Sequence, residues 1–287
     1  MKRKIYMMAA AIAIAFAACN NENENLVFTV EDGEIQLLMM HPNQSRVTDT
    51  YFEDTDSIGV YVTTNDAVLQ LAGNEVNNAL FTYNGLSWTA KQKVYWNKGD
   101  HNVYAFYPYS KEVNDVVDYS FSVQTDQSSE WGYMHSDFLF ASALDVTASN
   151  TAVNMQFAHK MSNVIVKLEK GENFEGDIPA NAEVYILSTV PHAVIDLSTG
   201  DAAKDSYGEQ AAIRCRKINN TQYQAVVVPQ NLTSRRPLVE VVIGEVSYLM
   251  EGKITYRPGM RHTIVVTLDQ NPDQIKIEIG GEMDTWN

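Results

Sequence analysis

The chain reads as an all-β protein made of two tandem antiparallel β-sandwich domains. Three observations carry that reading. Nearly every segment alternates apolar and polar residues with a period of two, and Val, Ile, Tyr, Phe and Thr dominate. No stretch holds a helical period beyond two turns, so the sequence offers no crossover helices for a parallel sheet. Finally, 287 residues are more than two packed sheets usually hold.

Taken in order, the chain opens on Lys2, Arg3 and Lys4, followed by an unbroken run of 14 apolar or Tyr residues, Ile5 to Ala18. A membrane span needs about 20 apolar residues, so residues 1–18 read as a signal peptide. The run closes Phe16-Ala17-Ala18-Cys19, which resembles a bacterial lipobox with Phe16 where Leu is commoner. Cys19 is then the lipidated residue, with a palmitate-type anchor. A lipidated cysteine carries more than one acyl chain, enough to hold the precursor at a membrane. An ordinary secretory peptide cut near Ala18 is the alternative. NNENEN follows, polar, acidic and without periodicity, as a tether. It resembles the surface-export signal of Bacteroidetes lipoproteins.

The stretch from Cys19 to Arg46 contains a compact apolar run, EIQLLMM, before a polar segment. In a strand, Ile35, Leu37 and Met39 face one way and Leu38 and Met40 the other. Burying the first three contributes roughly 5–9 kcal/mol. Arg46 is the only Lys or Arg between Lys4 and Lys91.

Strand patterns then recur: SIGVYVTT from 57, HNVYAFYPY from 101, DYSFSVQT from 118, AVNMQFAH from 152 and NVIVKLEK from 163. AEVYILST from 182, QYQAVVVP from 222, PLVEVVIG from 237, EVSYLMEG from 245, HTIVVTLD from 262 and QIKIEI from 274 continue the series. Asn84-Gly85 predicts a type I′ hairpin, Ile243-Gly244-Glu245 a tight hairpin, and Lys98-Gly99-Asp100 and Arg257-Pro258-Gly259 further turns. The domain break falls near His159 to Asn163. It divides 47–160, the N-terminal sandwich, from 161–287, the C-terminal sandwich.

Charge narrows the partners. The whole chain carries −15, and without its leader roughly −18, from 18 basic and 36 acidic residues. Nucleic acid and anionic lipid surfaces are poor partners on that ground, and no nucleic-acid partner is expected. With Cys19 blocked, Cys215 is left alone between Arg214 and Arg216; those cations suggest a reactive thiol, but an isolated strand cysteine fits better. The chain therefore has no disulfide framework.

Chemistry has little to stand on. The six histidines at 41, 101, 135, 159, 192 and 262 form no metal-ligand spacing. There is no phosphate loop or nucleophile elbow, so no cofactor, metal or enzymatic activity is expected. Glu53, Asp54 and Asp56 lack the spacing and glycine of a calcium loop. The aromatics Trp88, Tyr95, Trp96, Tyr104, Phe106, Tyr107 and Tyr109 read first as core and second as a glycan-stacking platform. Asn43, Asn219 and Asn231 begin N-x-S/T triplets, and Asp56-Ser57-Ile58 fits a short O-glycosylation pattern; a strand edge explains the latter equally well.

An arginine ahead of a phenylalanine, then TDSIGVYV, FTYNGLSWTAKQKVYW, VYAFYPYS, SDFLFASA and VNMQFAHKMSNVIVKL, resembles in order the fimbrillin (Mfa-like) family of Bacteroidales type V pili. The resemblance covers most of the first domain and enters the second. It implies transthyretin-like sandwiches, export as an outer-membrane lipoprotein, and a fimbrium that supports cell adhesion. It further implies cleavage by an Arg-specific surface protease, for which Arg46-Val47 is the matching bond. Residues 19–46 become a pro-segment whose strand is replaced by a donor strand from a neighbouring subunit. Ile275, Ile277 and Ile279 are the donor candidates, with the last strand of their own domain as the equal alternative. The chain ends soon after its last strand, which favours a stalk position over a tip. An uncut pilus anchor or a free-standing glycan-binding lipoprotein is the second reading; no host or bacterial surface ligand is identified.

Overall fold

The computed structural model describes residues 33–42, 52–269 and 276–286. It is nearly all β, as the period-two pattern dictates, with a single short helix among the described residues. The first half contributes β1 (Leu37–Met40), β2 (Ser57–Thr64), β3 (Val76–Tyr83), β4 (Trp88–Ala90), β5 (Asp100–Tyr107) and β6 (Tyr119–Ser122). Helix α1 (Glu130–Met134) follows, then β7 (Leu139–Thr147), β8 (Val153–Gln156) and β9 (Ala158–His159).

The second half contributes β10 (Ser162–Lys170), β11 (Glu183–Thr189), β12 (His192–Asp196), β13 (Asp201–Lys204), β14 (Ala211–Arg214) and β15 (Arg216–Asn219). It ends with β16 (Gln222–Val227), β17 (Gln230–Ile243), β18 (Val246–Tyr256), β19 (Met260–Leu268) and β20 (Lys276–Thr285).

A six-stranded antiparallel sheet, β4-β3-β2-β5-β7-β9, is the centre of the first half. Alternation along β2 and β5 serves both faces, because both are covered. Ile58, Val60, Val62, Val103 and Ala105 enter one apolar cluster together with Ile35, Leu37, Met39, Val153 and Met155. Tyr61, Tyr104 and Phe106 enter the other, with Tyr119, Phe121, Ala193 and Ile195. The first face is covered by the two-stranded sheet β1-β8, the second by β13-β12-β6. β12 comes from beyond residue 161 and pairs antiparallel with β6, so the second half of the chain reaches back over the first.

In the second half, a five-stranded sheet β15-β16-β10-β19-β20 and a four-stranded sheet β14-β11-β17-β18 share the larger cluster, with Val164, Val166, Ile186, Val239, Ile264 and Val266 fully buried. Among the described strands two pairings are parallel, β1 with β8 and β10 with β19; the other strand pairings are antiparallel.

Turn chemistry differs in one place from the sequence expectation. The Asn84-Gly85 hairpin closes Tyr83 onto Trp88 across four residues, not two. Asn84 Oδ1 accepts from Leu86 and Ser87 N–H, so the side chain builds an Asx turn and only Gly85 takes positive φ. Gly244-Glu245 is a two-residue connection between paired Ile243 and Val246, as expected. The aromatic-rich stretch divides as the core reading anticipates: Tyr104 and Phe106 are buried, Trp88 and Trp96 half-buried, and Tyr95 exposed.

Gly59 lies on β2 with the Phe106 ring and the Asn78 side chain where a Cβ would stand. Gly59→Ala should therefore cost about 1–3 kcal/mol through overpacking. Urea unfolding would detect this as a lowered midpoint with an unchanged slope.

Candidate functional site

The segment from Gly33 to Pro42 is the part of the fold whose placement suggests a task. It lies on the first cluster as an added strand. Ile35, Leu37 and Met39 are 2%, 9% and 8% exposed, whereas Leu38 and Met40 are half-buried. This is the facing that the period-two pattern implies. Its backbone is held on two flanks. On one, Val153 and Phe157 N–H groups donate to Gln36 and Met40 carbonyls at 2.9 and 3.0 Å, bracketing the parallel pairing with β8. On the other, Ile35 N–H donates to Val94 O at 2.8 Å and Trp96 N–H to Gly33 O at 2.7 Å. A Lys93–Glu34 ion pair at 3.0 Å sits beside them.

Beyond Ile35 the second flank opens. A cleft of about 440 Å³ separates β1 from β4, lined by Leu37, Met39, Phe81, Trp88, Ala90 and Lys93 among others. Along Leu37–Met40, then, the strand has one strand neighbour and one open side among the described residues.

The far end of the segment is sealed by rings. His41 lies edge-on to Phe52 at 5.0 Å and to His159 at 5.8 Å, and Phe52 in turn meets Trp88 and Phe157 edge-on. His159 is stacked on Trp286 at 3.8 Å and 8°, and its Nδ1 bonds Asp137 at 2.8 Å. Burial lowers the His41 pKa to about 4, with His159 adding to the effect and Asp137 opposing it.

Other sequence-derived candidates fall as follows. Cys19, Arg46, Val47 and Ile275 lie outside the described residues. Ile277 and Ile279 are on β20, half-buried against the larger cluster, and β20 pairs antiparallel with β19 of its own chain. Ile279 lies over Gly252, filling the space a Cβ would need. Cys215 is buried, and burial pushes its thiol up, far from a reactive thiolate; Arg214 is engaged with Glu183 at 2.6 Å. Asp56 caps a turn through Glu53 N–H at 2.7 Å and accepts from Tyr107 Oη at 3.2 Å; burial raises its pKa. Sequence reading did not find the His41–His159–Trp286 contact, which joins residues far apart in the chain.

The fold is a strand-completed, two-faced sheet continuous with an antiparallel sandwich, and it recurs in solved structures. A solved Bacteroides ovatus structure named as a cell adhesion protein superimposes with a TM-score of 0.70 at 20% identity, over 88% of this chain and 97% of that one. Its counterpart from Bacteroides uniformis gives 0.69 at 18% identity, over 89% and 99%. A Bacteroides ovatus protein carrying the name fimbrium tip subunit Fim1C is 30% identical over 195 residues, 58% of this chain. The chain spans only 36% of that relative's length. The fimbrillin-like family model matches residues 45–286, and the chain belongs to that family.

Two outcomes test the site. Leu37→Ala and Met39→Ala should each lower unfolding free energy by about 2–5 kcal/mol, read by urea titration of the intact chain. The second concerns acid. His41 is held neutral in the fold, while an unfolded His41 gains its proton near 6.5. The unfolded chain thus binds more protons between pH 6.5 and 4, and stability falls as pH drops through that window. The loss should be on the order of 2 kcal/mol. His41→Gln should flatten the slope there; an unchanged slope counts against the assignment.

Proposed function

We propose that the protein is a structural subunit of a cell-surface fimbria that supports adhesion, exported as an outer-membrane lipoprotein on Cys19. A protease specific for arginine cuts after Arg46, residues 19–46 leave, and a neighbouring subunit fills the vacated groove. The observation that carries this reading is β1. Three of its segment's apolar side chains complete the first cluster, yet its only covalent link to the strands that follow is the stretch of sequence that contains Arg46.

Several features support it. The family match begins at residue 45, so the segment bearing β1 precedes it. An incoming strand has an apolar row to occupy and an exposed backbone flank on β8 to pair with. The open cleft beside β1 gives such a strand room to begin docking before the old one departs. Ile277 and Ile279 of β20 repeat the alternation of Ile35, Leu37 and Met39, and among the described residues β20 is an edge strand with a single neighbour. Ile275 extends the same row in sequence. The partners are other copies or other fimbrial subunits, and the role is structural rather than catalytic. A stalk position fits a donor role for β20; the name of the Bacteroides ovatus relative makes a tip position the alternative.

Treating surface-sheared protein with an Arg-specific protease should yield a chain starting at Val47 and a ladder on native gels. Arg46→Ala should remain monomeric and membrane-held. A Cys19 start in all surface-sheared material would reject processing.

A further inference from the structure

The end of the β1 segment and the end of the described chain meet on one side chain. His159 terminates β9 at the edge of the six-stranded sheet, stacked against Trp286 at 3.8 Å and approached edge-on by His41 at 5.8 Å. Trp286, 5% exposed, is also tied by its N–H to Gly259 O at 2.9 Å. The turn at Gly259 donates its own N–H to Met161 O at 2.9 Å. It passes so near His159 that a Cβ there would stand 3.0 Å from His159 O. The 158–162 connection, the 257–259 turn and Trp286 are thus one packed knot, to which the β1 segment adds His41. Between His41, Phe52, Tyr107, Asp137 and Trp286 there remains only about 20 Å³, room for about one water.

We propose that the His41–His159–Trp286 contact couples the β1 segment to the end of β20, so that losing the segment that bears β1 loosens the hold on β20. Its use in assembly rests on the strand-exchange reading above; the coupling itself is a property of the uncut chain. Among the described residues β20 is an edge strand paired only with β19, and Trp286 fastens its far end. Removing His41 takes away one wall of the ring stack and opens the small cavity to water. The groove and the strand that fills the next groove would then be made available by a single cut. Binding linkage requires the effect to run both ways: releasing Trp286 should loosen the end of β1.

Hydrogen exchange of the full chain tests this, with β16 and β17 amides as internal references. In the uncut protein, His41→Ala should speed exchange in β20 about fivefold, and loss of the segment after cleavage about tenfold. Ile35→Ala weakens the same segment at its other end and should leave β20 unchanged. Trp286→Ala should speed exchange at Met39 and Met40. Equal β20 exchange in wild type, His41→Ala and the segment-free chain would overturn the coupling. If β20 stays protected while the emptied groove binds a synthetic 274–286 peptide, coupling fails and strand exchange stands. If no cut occurs at Arg46, processing fails, and the His41→Ala comparison still decides the coupling.

Discussion

A six-stranded sheet that is apolar on both faces has to be covered twice. β2 sets this condition: Ser57–Thr64 sends Ile58, Val60 and Val62 to one side and Tyr61 to the other, and none of these is more than 1% exposed. One cover, β13-β12-β6, is supplied by chain segments well inside the fold. The other is β8 together with a strand that precedes the body of the family match. Burial of Ile35, Leu37 and Met39 is worth roughly 5–9 kcal/mol, comparable to the whole stability of an ordinary domain. Such a cover is needed, and under the proposed strand exchange only another of similar worth could take its place. The apolar row is therefore a stabilising element and, under that proposal, a specification for whatever would replace it.

Holding the strand and letting it go depend on different parts of its surroundings. The buried row and the β8 pairing hold it. The cleft toward β4 and the ring cluster around His41 are where the hold is thinnest or most conditional. Acid weakens the latter because His41 is kept neutral by burial, so charging it conflicts with its place against Phe52 and His159.

Much of this was legible in the sequence, because period-two alternation reports directly which side chains share a face. The facing of Ile35, Leu37 and Met39 and the all-β class followed from that pattern, and so did the burial of Tyr104 and Phe106. The Asn84 turn was misjudged in length, since its side chain caps two backbone N–H groups and so replaces a two-residue closure. Helix α1, at five residues, is too short to print a period. The return of β12 to β6 and the meeting of His41, His159 and Trp286 join residues with no local signal of each other. Pairings of that kind are decided by which apolar faces remain uncovered after local structure forms, and a lone strand pattern does not record them.

The groove under β1 lies in the first half of the chain, and β20 lies in the second. A contact made by giving one and filling the other joins unlike surfaces, so it has no two-fold axis and does not close on itself. Every chain assembled this way has a direction. One terminus keeps an unfilled groove, the other an unspent strand, and only a partner lacking one of these can cap it. Under the proposed strand exchange, a single added strand would give a fibre two chemically distinct ends, one for growth and one for arrest.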